Sequence, residues 1–183
     1  MNKPFLLLFI LVEVLFLSGC ATIQPVSQAQ TQNWVLQGKI GVKTPEKSGS
    51  ASLYWQQQGE IYHIRLFGPL GIGAVELNGN PNLVTYTDNQ GKIYQANSAE
   101  ILLKQNTGWQ IPVNNLNYWI RALPAPHMGS EKMYDAKHQL VSLQQQGWKI
   151  DYLRYQGQLP SLIQLTRPEI NLRIIINQFQ YFN

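Results

Sequence analysis

The chain has 183 residues, with 14 Lys+Arg against 10 Asp+Glu and a formal charge of +4, which suits one compact domain and leaves little room for two. Hydrophobic residues make up 44% and charged residues only 13%, which argues against disorder and a long charged arm and leaves Gln and Asn to build much of the polar surface. One cysteine cannot make an internal disulfide or a Cys-based zinc site, His63, His127 and His138 share no ligand spacing, and no three basic residues are consecutive, so metal chemistry and nucleic-acid binding are set aside.

Residues 1 to 19 read as a secretory signal: Lys3 gives the positive start, Phe5 to Leu17 the apolar run, and Leu17-Ser18-Gly19 the small-residue cleavage side. The run is too short for about 30 Å of hydrocarbon and carries Glu13, which disfavours a permanent membrane span. Leu17-Ser18-Gly19-Cys20 resembles the lipobox of bacterial lipoproteins, which implies that Cys20 is acylated and becomes the first residue of the mature chain. Ala21 stands where an aspartate would resemble an inner-membrane retention signal, so the same resemblance implies sorting to the outer membrane. Residues 20 to 32 read as the lipidated cysteine and a small, polar tether, with a coil reach of about 20 Å. Residues 33 to 183 are the domain.

Within the domain, period-two patterning predicts strands. Trp34, Leu36, Gly38, Ile40 and Val42 share one face, and so do Ala51, Leu53 and Trp55 in the next run. Further runs follow at Ile61 to Phe67, Gly73 to Leu77, Leu83 to Thr87 and Lys92 to Ala96, separated by turns such as Gln58-Gly59 and Asn89-Gln90-Gly91. Ser98 caps a helix through Leu103 that Gly108 stops, and a second helix is expected over Asn114 to Leu123, ended by Pro124 and Pro126. Residues 124 to 137 read as a loop. Strands resume at Leu140 to Gln145, Trp148 to Tyr155, Leu162 to Thr166 and Leu172 to Phe182. Helices that interrupt a run of strands, instead of alternating with them, predict a mainly β, α+β fold with an antiparallel sheet of about ten strands packed by helices.

No group of residues points to catalysis. Gly71-Ile72-Gly73 lacks the third glycine and the following helix of a dinucleotide loop, and Ser48-Gly49-Ser50 reads as a hairpin loop without a nucleophile elbow. Glu131 and Asp135 fall in the expected surface loop, and His63 reads as an outward-facing or hydrogen-bonded strand residue. The chain is therefore read as a non-enzyme without a cofactor. Trp34, Trp55, Tyr62, Trp148, Tyr152 and Phe179 gather on one side of the strands. They form either a filled core or the wall of an apolar hollow, because a curved sheet of ten strands encloses more space than two short helices fill.

The lipobox, Trp34-Val-Leu-Gln-Gly-Lys-Ile-Gly-Val42, Ala51-Ser-Leu-Tyr-Trp55, Gly68-Pro69-Leu70-Gly71 and Trp119-Ile-Arg-Ala-Leu-Pro-Ala-Pro126 together resemble, in order and spacing, the LolB family of outer-membrane lipoprotein receptors. Arg121-Ala122 departs from the small pair expected there, which bears on loop shape. The resemblance implies an open antiparallel β half-barrel with a helical lid over a hydrophobic cavity. It also implies the activity: acylated lipoproteins are taken from the periplasmic carrier LolA and placed in the lipid of the outer membrane by a monomer anchored at its periplasmic face. Trp34, Leu36, Ile40, Leu53, Trp55, Ile64, Leu66, Trp148 and Ile150 on the sheet, with Leu102, Leu116 and Trp119 on the helices, are the expected cavity residues. The residues of the 68–73 connection leave two readings for Leu70, folded back onto the core or held away from it. The resemblance favours the second, with Gly68, Pro69, Leu70 and Gly71 forming a membrane-insertion loop. A structural or assembly-accessory lipoprotein with a filled core is the competing expectation.

Overall fold

A computed structural model describes residues 33–68 and 74–182. The strands are β1 (Asn33–Lys43), β2 (Ser48–Gln58), β3 (Ile61–Phe67), β4 (Val75–Gly79), β5 (Val84–Thr87) and β6 (Ile93–Ala96), then β7 (Glu131–Tyr134), β8 (Leu140–Gln145), β9 (Trp148–Gln156), β10 (Leu159–Arg167) and β11 (Ile170–Tyr181). Between β6 and β7 come α1 (Ala99–Thr107) and α2 (Val113–Trp119). All eleven strands form one sheet in the order β6-β5-β4-β3-β2-β1-β11-β10-β9-β8-β7, with every pair antiparallel. The sheet stays open, with β6 and β7 as its edges. The chain between those edges carries both helices across the inner face, so one crossover supplies the lid.

Alternation along each strand becomes continuous rows across the sheet. One inward row runs Phe179, Leu36, Trp55, Ile64, Leu77, Tyr86, Tyr94 from β11 to β6. Another runs Val42, Leu172, Leu165, Ile150, Leu143 from β1 to β8. The opposite face carries Gln37, Tyr54, Arg65 and Glu76, and Arg65 pairs with Glu76 at 3.3 Å. Burying a large aliphatic side chain contributes about 1.5–3 kcal/mol, so these rows fix the register: a slip of one residue would expose a whole row. At Gly38 the β1–β11 ladder bulges, and a Cβ there would lie 2.0 Å from the Ile175 carbonyl oxygen.

The helix ends follow their local chemistry. The Ser98 hydroxyl accepts from the Ile101 amide at 3.3 Å, and Gly108, at φ 78°, closes α1 by donating to the Lys104 carbonyl. Three expectations are corrected. The second helix ends at Trp119, not Leu123, because Ala122 turns into the left-handed region at φ 57° ahead of the prolines. Ser48-Gly49-Ser50 is the start of β2, paired with Lys43, Val42 and Gly41, and not a loop. The segment read as a loop over 124 to 137 contains β7, an edge strand paired with β8.

Candidate functional site

A hollow of about 340 Å³ lies between the inner face of β1–β5 and the helices. β1 contributes Ile40 and Val42, β2 Ala51, Leu53 and Trp55, β3 Ile64, Leu66 and Phe67, and β4 and β5 add Val75, Leu77 and Tyr86. Leu103, Trp109, Ile111, Val113 and Leu116 close it from the lid. Among the described residues no charged side chain lines it, and of its polar residues Thr107 already donates its hydroxyl to the Leu103 carbonyl at 2.6 Å. An ion or strongly polar ligand would be desolvated without compensation in such walls, whereas hydrocarbon would not.

The hollow reaches the end of the sheet where Gly49, Ser50, Phe67 and Gly68 lie. Gly49 allows the Trp109 ring to approach, a Cβ there being 3.7 Å from it, and the Lys47 ammonium lies 5.7 Å from the ring centroid while bonding the Thr107 carbonyl. Gly68 and Ala74, which flank the 69–73 connection, belong to this end because Phe67 pairs with Ser52 and Val75 with Leu66. Cys20, Pro69, Leu70 and Gly71 lie outside the described residues.

Six of the twelve expected cavity residues meet in the lining: Ile40, Leu53, Trp55, Ile64, Leu66 and Leu116. The other six, Trp34, Leu36, Leu102, Trp119, Trp148 and Ile150, do not line this hollow and are buried in packed interior. Trp34 sits between Trp55 and Phe179, with ring centroids at 5.3 and 5.2 Å, and Trp119 packs on Trp148 at 6.2 Å. Val42 and Leu77 were available to the same alternation that found their neighbours. Trp109, noted beside the helices, and Ile111 were not among the expected cavity residues, because they lie in an irregular segment with no period.

Gln145 and Tyr152 tie the lid to the sheet. The Gln145 Oε1 accepts from Trp119 Nε1 and the Ala125 amide, both at 2.8 Å, its Nε2 donates to the Ala125 carbonyl at 2.9 Å, and the Tyr152 hydroxyl donates to the Trp119 carbonyl at 2.9 Å. Burial pushes the Tyr152 phenol far above its ordinary value, so it remains a donor. The scattered polar candidates do not converge. His63 lies 2.6 Å from the Asn78 side chain on the outer face, and the Asp135 carboxylate accepts from the Lys137 and Gln139 amides in an exposed turn. Among the described residues no helix is long and apolar enough to cross a membrane.

The family model for outer membrane lipoprotein LolB matches residues 32–179. Outer-membrane lipoprotein LolB of Pseudomonas putida is 41% identical over 152 residues, 80% of this chain and 74% of its own length, and that of Pseudomonas syringae pv. syringae matches to the same extent. Among solved structures, a LolA superfamily protein from Nitrosomonas europaea superposes with a TM-score of 0.55 at 7% identity, over 85% of this chain and 90% of that one. A DUF1329 family protein from Desulfovibrio piger gives 0.53 at 9% identity, over 82% and 85%. These two speak to the fold alone, and they share its open antiparallel sheet. With the family model spanning most of the domain and relatives at this identity, the chain belongs to the outer membrane lipoprotein LolB family.

Proposed function

We propose that the chain is an outer-membrane lipoprotein receptor. It accepts acylated lipoproteins from a soluble periplasmic carrier of the LolA kind, shelters their acyl chains in the apolar hollow, and places them in the outer membrane. The observation that carries this reading is a hollow whose described walls hold no charged group, at the end of the sheet bordered by Gly68. At about 0.8 kcal/mol per buried CH₂, a single long acyl chain costs roughly 10 kcal/mol in water, so unassisted crossing of an aqueous space is prohibitive. A hydrophobic hollow removes most of that cost, and a bias of about 1.4 kcal/mol moves the equilibrium tenfold toward the receptor. Transfer then needs no bound nucleotide.

At 340 Å³ the hollow is near the lower bound of pockets for drug-sized ligands, so several acyl chains require α1 and α2 to move outward. An accessory lipoprotein with a filled core would have no such space. In this reading Cys20 carries the anchor and Leu70, between Gly68 and Ala74, enters the lipid interface during release.

The test is reconstituted transfer. Protein with Cys20→Ala should leave the membrane fraction and still take lipoprotein from the loaded carrier, because the hollow belongs to the domain. Adding Leu70→Glu should leave that acceptance intact and impair delivery into vesicles. Failure of the Cys20→Ala protein to accept cargo would refute the receptor reading, and undiminished delivery with Leu70→Glu would refute the role of the loop.

A further inference from the structure

On the outer face of the sheet, three cations surround Gly41 with no opposite charge among them. Lys39 and Lys43 stand two residues to either side of it on β1, about 7 Å away along the strand, and Arg173 of β11 is its cross-strand partner, about 5 Å away. All three are exposed, and a Cβ at Gly41 would meet nothing nearer than 4.0 Å. Among the described residues none of the three has an ion pair. The carboxylates of this face are taken: Glu76 pairs with Arg65 at 3.3 Å and Asp151 with Lys149 at 2.9 Å. The turns at this end of the sheet hold Glu46 and Glu169, and Lys47 and Arg167 in or beside those turns leave no net charge there. Like charges held this close repel one another, and an external anion relieves them.

The surroundings of the cluster say what kind of anion fits. Its neighbours Ser48, Ser50 and Ser52 on β2 and Asn171 on β11 are short and uncharged, so the patch is level and offers hydroxyl and amide donors beside the charges. No aromatic or methionine anchor stands among them, as the core of a protein interface normally has, whereas a flat array of phosphates needs none. The cluster is also level with the loop assigned to delivery. Phe67 and Lys39 both pair with Ser52, so Gly68 lies two strands, about 10 Å, from β1 at this height.

We propose that the outer face around Gly41 docks on the phosphates of anionic lipid headgroups through Lys39, Lys43 and Arg173, while the connection after Gly68 enters the same membrane. Its part in delivery rests on the receptor reading and adds an orientation to it: the domain lies on the lipid by its outer face at the Gly68 end, with the lid turned away. The cluster lies about 20–33 Å along β1 from Asn33, within the roughly 40 Å that residues 21 to 32 span when extended, so Cys20 and the cluster can sit on one surface.

The test floats the full chain with Cys20→Ala on vesicles of phosphatidylcholine, alone or mixed with phosphatidylglycerol, in low and high salt. The protein should bind the anionic vesicles about tenfold more tightly than the neutral ones, or better, and lose that difference in high salt. Adding Lys39→Gln, Lys43→Gln and Arg173→Gln together should weaken binding to anionic vesicles about tenfold or more, with thermal stability and acceptance of lipoprotein from the carrier unchanged. Lys39→Arg, Lys43→Arg and Arg173→Lys together keep the charge and should keep the binding. Equal binding to both kinds of vesicle, undiminished binding by the glutamine variant, or lost binding by the charge-keeping variant would overturn the proposal. So would a glutamine variant that holds anionic vesicles and no longer accepts cargo, which would make this face a protein-docking surface. If the Cys20→Ala protein accepts no cargo while its salt-sensitive vesicle binding persists, the receptor reading fails and the headgroup surface stands.

Discussion

Ala122 holds φ at 57°, a conformation that costs an L-residue about 1–2 kcal/mol and glycine almost nothing. It follows Arg121, whose guanidinium donates back to the Asn117 carbonyl at 3.0 Å, so the chain reverses there to bring Ala125 onto Gln145. Ala122→Gly should therefore stabilise the protein by up to about 1 kcal/mol, the relief of strain being reduced by the larger entropy of the unfolded glycine. Urea unfolding checks this, and a loss of stability would show that the Ala122 methyl packs usefully. The sequence marked the place, since Arg121-Ala122 departs from the small pair the family resemblance led one to expect. It could not show the consequence, because a positive φ in alanine has no pattern signal. The same limit applies to the hollow. Alternation grouped Trp34, Leu36, Ile40, Leu53 and Trp55 correctly on inward faces. Which of them face empty space depends on how far their neighbours fill the interior, and Phe179 and Trp55, from the flanking strands, fill the space around Trp34.

α1 has nine residues and α2 seven, too short to persist in water without packing. Their position depends on Ala99, Leu102 and Leu103 in α1, on Val113, Leu116 and Trp119 in α2, and on the Gln145 and Tyr152 hydrogen bonds at the far end. Gln145→Ala leaves an indole N–H, an amide and a carbonyl unpaired in the interior, which should cost about 3 kcal/mol. Hydrogen exchange over residues 113–125 should rise more than in β1 and β11, and a uniform rise across the sheet would contradict the view that Gln145 acts on the lid. Elements with strong periodicity or caps were legible before the structure: β3 and β8 fall on their expected bounds, and Ser98 and Gly108 end α1 as read. β7 was not legible, because all four of its residues are exposed and an edge strand held by backbone pairing on one side leaves no alternation to detect. The start of β2 was hidden for a related reason, since Ser48, Gly49 and Ser50 join the ladder with no hydrophobic signal.

Across the whole molecule, the sheet places the proposed tether and the proposed delivery end apart. Asn33 begins β1 beside Gly59, and Gly68 lies at the other end of the strands. Phe67 lies level with Lys39 through Ser52, so Gly68 stands about seven residues along β1 from Asn33, roughly 23 Å. A tether over residues 21 to 32 reaches about 20 Å as a coil and about 40 Å when extended. If Cys20 carries the anchor as proposed, the Gly68 end touches the same membrane when the domain lies along the surface or the tether is drawn out beyond its coil length. Deleting residues 23 to 30 while keeping Cys20 should leave anchoring and acceptance from the carrier intact and slow delivery severalfold in vesicle assays. Unchanged delivery would show that the two ends need not act together.

Whether acyl chains occupy the apolar hollow, as proposed, is read by site-resolved photocrosslinking. A lipoprotein with a diazirine near the end of one acyl chain is loaded from the carrier, irradiated, and the adducts are mapped by mass spectrometry. Chains lodged in the hollow give adducts on Ile40, Leu53, Ile64 and Leu77, and none on Leu143 or Ile150 in the packed half of the sheet. Adducts confined to the outer face around Tyr54 and Arg65, or spread equally over both halves of the interior, would contradict it.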